Sequence, residues 1–82
     1  MEGIDLSIEN LKEQLNELKQ KISQLRKKGM NMKLADIRLM SIPSKIKMAE
    51  ITKDYKDVQK INIMLNDARQ EIGSIENNKD NS

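Results

Sequence analysis

The nine residues Ala49–Asp57, AEITKDYKD, decide how this chain folds. Upstream of them Met32, Ala35, Leu39, Ile42, Ile46 and Ala49 recur at spacings of three and four, which marks one face of a helix. Carried forward, the same phase lands on Lys53 and Lys56. A new stripe, out of phase with the first, begins at Val58 and runs through Ile61, Leu65, Ala68, Ile72 and Ile75. A turn near Thr52 and Lys53 therefore ends one helix. Asp54 stands as N-cap of the next, with Asp57 three residues on as an acidic variant of the capping box. Length agrees, because an unbroken helix from 32 to 75 would be about 66 Å long and would leave half its apolar surface uncovered within one chain.

Upstream, Ile4, Ile8, Leu11, Leu15, Leu18, Ile22 and Leu25 alternate spacings of four and three without a miss. This is a heptad seam, coiled-coil-like, with Ile8, Leu15 and Ile22 at one core position and Ile4, Leu11, Leu18 and Leu25 at the other. Neither position carries an Asn or Lys to fix register, so a parallel zipper and a pairing within the chain both remain open. Arg26, Lys27 and Lys28 form a basic last turn, and Gly29 follows, as expected of a helix C-terminus. The spacing predicts helices over about 4–28, 32–51 and 55–72 in one domain spanning 1–75, with Gly73 and the tail 76–82 frayed or disordered. The fold class is all-α: a short three-helix up-down bundle, or a helical hairpin with a broken second arm.

The middle helix is the unusual one. Asn31 is placed to cap it, and Pro43 lies inside its pattern, where it deletes the bond to the Leu39 carbonyl and costs on the order of 3 kcal/mol. The stripe keeps its phase through the proline, which favours a kink over two separate helices. Nearly opposite that stripe, at 100° per residue, Leu34, Ile37, Met48 and Ile51 gather, with Met40 at the margin. Two explanations fit. The helix is packed between the other two of its own chain, or its second face is a partner face for another protomer or protein, a use for which adaptable methionines are suited. The run AEITKDYKDVQK, Ala49–Lys60, is similar to the linker between paired helices in helical-hairpin repeat proteins. That resemblance covers one unit, and no function is carried over from it.

Composition narrows the chemistry. The chain has 82 residues, no cysteine and no histidine, which removes disulfides, thiolate metal sites and the commonest general base. No cofactor or metal is expected, a methionine-lined metal site lacks the other soft ligands, and the chain reads as a non-enzyme. Tyr55 is the only aromatic residue, which argues against base-stacking recognition of single strands. Charged residues make up 34%, and no apolar run approaches the roughly 20 residues of a membrane span. The opening MEGIDLSIEN does not resemble a signal peptide, so a cytoplasmic location is expected. A domain this small gains from self-association, so a homo-oligomer, a dimer first, is the expected assembly.

Charge is uneven along the chain: residues 1–25 carry a net −2, residues 26–60 a net +6 and residues 61–82 a net −2. The basic middle offers phosphate contacts at Lys27, Lys28, Lys45 and Lys47, with Arg26, Lys33 and Arg38 nearby. The run DIRLMSIPSKIKMAEI, Asp36–Ile51, also permits two short helices with Pro43 opening the second, presenting Ser44, Lys45 and Lys47 to a major groove. A typical turn glycine is missing there, and a solvated basic face is the simpler reading. Glu9, Glu13 and Glu17 share one helix face, but the di-metal bundle pattern requires histidine, so they read as surface. The expected function is a non-catalytic helical interaction protein that self-associates as an adaptor or assembly subunit. A small nucleic-acid-binding regulator is the alternative.

Overall fold

Seam residues Ile4, Ile8, Leu11, Leu15, Leu18, Ile22 and Leu25 are all buried on the inner side of α1 (Glu2–Lys27). The structure, a computed structural model, describes residues 2–80, with side chains over 3–77. α2 (Lys33–Met40) and α3 (Ile42–Thr52) form the second rod, and α4 (Tyr55–Asp80) the third. Each rod packs against the other two, and no strand occurs among the described residues. Met32, Ala35, Leu39, Ile42, Ile46 and Ala49 of the second rod and Val58, Ile61, Leu65, Ala68 and Ile72 of the third close one continuous core with the α1 seam. No polar or charged side chain is buried among the described residues. The bundle is therefore held by burial of aliphatic side chains, the Ile, Leu, Val and Met ones each worth roughly 1.5–3 kcal/mol.

Backbone chemistry sets the ends of the rods. At the end of α1, Met30 N–H donates to the Leu25 carbonyl (3.1 Å) and Gly29 N–H to that of Arg26 (2.9 Å), the paired bonds of a Schellman motif. Gly29 has φ +90°, a conformation that costs a residue with a side chain, and Met30 packs partly against the core as the motif's apolar contact. α3 ends differently: Lys53 is left-handed at φ 54°, ψ 37°, and its N–H donates to the Ala49 carbonyl at 2.8 Å. This is the simpler single-bond left-handed cap, filled here by a lysine. Asp54 then accepts from Lys56 N–H through its side chain (2.9 Å) and opens α4.

Four details depart from the sequence expectations. The second rod is interrupted at Ser41, so helix 32–51 is two segments with Pro43 in the first turn of α3, where its missing N–H is tolerated. Ser41 itself keeps right-handed helical angles (φ −88°, ψ −10°), and the buried stripe runs through the junction in phase, so the rod continues in line rather than turning back. Asn31 does not occupy the N-cap position, which is Met32; its side chain accepts from Lys33 N–H one step earlier (3.1 Å). Asp57 bonds the Thr52 hydroxyl (2.8 Å), tying α4 to the end of α3 instead of closing a capping box. Finally, α4 does not stop near 72 but passes through Gly73 to Asp80. A glycine costs only about 1 kcal/mol in a helix, and Ile75 beyond it still packs against the core. Of the tail expected to be disordered, 76–80 is helical, and 81–82 lie outside the described residues.

Candidate functional site

Burial divides the described methionines by role. Met32 is buried and Met30 and Met64 pack partly against the core, whereas Met40 and Met48 stand in solvent. With Leu34, Ile37 and Ile51 these last two form the outer face of α2–α3, each side chain between 51% and 78% exposed. The second rod is thus not covered on both faces by α1 and α4. Three rods in a triangle each bury one stripe, and the rod that carries a second stripe leaves it outside. Polar Lys, Glu, Gln and Asn side chains occupy most of the outward positions of α1 and α4, so this face is where apolar side chains concentrate. Leu6 on α1 and Ile63 on α4 are exposed singly, and Tyr55 is half exposed with its hydroxyl over Gly3.

Charged groups frame the face unequally. On the α1 side Asp36 pairs with Arg26, and Glu50 pairs with Lys12 at 2.9 Å. The hydrogen bond to Glu50 is the main cause that holds the Lys12 ammonium above its ordinary pKa. On the α4 side Arg38 Nε donates to Glu71 at 2.9 Å. Lys33, Lys45 and Lys47 make no ion pair among the described residues. Both acids of the α2–α3 rod are therefore engaged within the chain, and the free charges beside the apolar face are positive.

Two grooves flank the rod. One, of about 360 Å³, runs between α1 and α3 and is lined by Lys12, Lys19, Pro43 and Lys47 among others. The second, of about 290 Å³, lies between α3 and α4, with Met48, Met64 and Ile61 as its floor and Lys45, Lys60 and Asp57 at its rim. The latter groove continues the apolar face sideways onto α4. Met64 and Lys60 were not legible as part of this surface, because their position depends on how α4 is rotated against α3. Lys45 and Lys47 line different grooves, while Lys27 ends α1 and Lys28 follows in the turn. The four lysines proposed as phosphate contacts are thus spread over the molecule and do not form one patch.

Elsewhere the polar groups have structural partners. Glu9 reaches Lys12 at 3.5 Å, Lys21 pairs with Glu76 at 3.1 Å, and Arg69 bonds Gln14 across α1 and α4. Glu9, Glu13 and Glu17 are exposed on α1, and among the described residues no group of three or more acidic side chains is placed to hold a metal ion. No described helix is long and apolar enough to cross a membrane. Comparison with known protein families, curated proteins and solved structures finds no match to this chain.

Proposed function

We propose that this chain is a non-catalytic helical interaction protein that self-associates through the outer face of α2–α3 and serves as an assembly subunit or adaptor. The observation that carries this reading is the exposure of Leu34, Ile37, Met40, Met48 and Ile51 together on one rod whose core stripe is already buried. Apolar side chains gathered along one exposed face of a small charged protein are costly to leave in water and characteristically mark an interaction surface. A rod face of about 30 Å lies at the small end of stable interfaces, so assembly should depend on concentration.

Light scattering after size exclusion, over a range of concentration and at low and high salt, tests this. A mass of two chains that persists in high salt is expected, and a monomer at every concentration would overturn self-association. Met48→Glu with Ile51→Glu should return the protein to monomer with its helical circular dichroism unchanged, since neither side chain is in the core. The nucleic-acid reading has less support, because its cations lie apart. A salt-dependent shift of a DNA probe, lost on changing Lys27, Lys28, Lys45 and Lys47 to Gln, would favour it instead.

A further inference from the structure

Six exposed positions along the outer face of the second rod, with Met40 beside them at the margin, form a pattern that reads the same in both directions. Leu34, Ile37, Ser41, Ser44, Met48 and Ile51 follow one another at spacings of three, four, three, four and three, all exposed, with two apolar residues at each end and two serines at the centre. A helix face with this order is complementary to its own reverse: Leu34 meets Ile51, Ile37 meets Met48, and Ser41 meets Ser44. Small side chains at the centre let two helix axes approach closely where they cross.

Charge beside the face has the same symmetry. The Arg38–Glu71 and Thr52–Asp57 contacts fix the register between the α2–α3 rod and α4. One stretch of the groove between them holds Arg38, Asp67 and Glu71, a net negative set. Further along, the stretch with Lys45, Lys60 and Asp57 is net positive. In that register Glu71 is level with Arg38 and Asp67 with Ile42, while Lys45 and Lys60 lie beyond Ser44, so the carboxylates and the lysines fall on opposite sides of the level midway between Ser41 and Ser44. A two-fold axis at this level sets the negative stretch of one chain against the positive stretch of the other. A parallel pair, whose two-fold axis runs along the rods, would instead set this groove against the α1 side of the other chain and would not bring the two stretches together.

We propose that two copies of this chain pair antiparallel through α2–α3, about a two-fold axis at the level of Ser41 and Ser44. This rests on the self-association reading above and adds its geometry: an isologous interface in which each rod supplies both halves of the contact. The lysines at the rim, without ion-pair partners in the single chain, face the Asp67 and Glu71 carboxylates of the other copy's groove.

The chain has no cysteine, so introduced ones report without background. The experiment oxidises Leu34→Cys alone, Ile51→Cys alone and an equimolar mixture that has been allowed to exchange, after light scattering has established the mass of the unaltered protein and of each variant. In the antiparallel pair, identical positions lie about 25 Å apart along the rod, beyond the reach of a disulfide, so a cross-linked dimer should form only in the mixture. Ser41→Cys mixed with Ser44→Cys keeps every apolar side chain and supplies a second readout, with faster cross-linking in the mixture than in either alone. A dimer that cross-links within each single variant, or in no combination, overturns the antiparallel geometry while leaving self-association standing. A monomeric unaltered protein overturns both.

Discussion

Gly29, Gly73 and Asp5 differ in what their local settings allow. At Gly29 the +90° φ places any larger residue in strain although nothing crowds the site, so Gly29→Ala should lower stability by about 1–2 kcal/mol in chemical denaturation. Gly73 is the opposite case: it is helical, with open space where a Cβ would go, and Gly73→Ala should raise stability by roughly 0.5–1 kcal/mol in the same assay. Asp5 pairs with Lys53, whose left-handed cap aims its ammonium at α1, and the hydrogen bond from that lysine holds the Asp5 carboxyl below the usual aspartate range. A depressed folded-state pKa makes the pair stabilising above the ordinary aspartate pKa, with that contribution lost as pH falls through the lowered value. Carboxyl-resolved NMR titration should therefore show Asp5 titrating low, and Lys53→Asn should move it up towards the ordinary range; no movement would contradict the pairing.

At the scale of elements, the two faces of α2–α3 should respond very differently to truncation. Ile42 is fully buried beside the Ser41 junction, and Ile42→Ala should cost about 2–5 kcal/mol, enough to threaten a domain of this size. Met40→Ala, two residues away and in solvent, should leave the unfolding of the single chain within about 0.5 kcal/mol. Thermal and urea denaturation of the two variants read this contrast directly. The rods themselves were legible because aliphatic spacing alone placed Ile4 through Leu25, Met32 through Ala49 and Val58 through Ile72 on the faces that meet. The two-sided character of the second rod was legible too, with Leu34, Ile37, Met40, Met48 and Ile51 as the candidate partner face, but not whether the bundle covers that face, since that depends on how three rods close on one another. Helix ends were less legible. Asp57 had the spacing of a capping partner, yet the Thr52 hydroxyl competes for it across the turn, and Gly73 had the look of a stop until Ile75 packed beyond it. Cross-rod pairs such as Arg38–Glu71 carry no short-range signal at all.

The whole molecule is a rod, 48 Å by 18 Å by 18 Å, with a radius of gyration of 14.0 Å. A compact domain of this length would have a radius near 12 Å, so the elongated shape exposes more surface for each residue it orders. Stability then has a source outside the single chain if the outer face of α2–α3 is covered by a second copy, because a partner that binds only the folded state stabilises it by mass action. For a dimer that unfolds to two free chains, each tenfold rise in concentration adds about 0.7 kcal/mol per chain, or some 3–5 °C in midpoint for a domain of this size. Scanning calorimetry of the unaltered protein over two decades of concentration should show that rise. The Met48→Glu, Ile51→Glu variant should unfold at one temperature throughout, at or below the lowest midpoint of the unaltered protein. A concentration-independent midpoint in both proteins would mean that the apolar face contributes nothing to folding through self-association, and its occupant would have to be sought in a different chain.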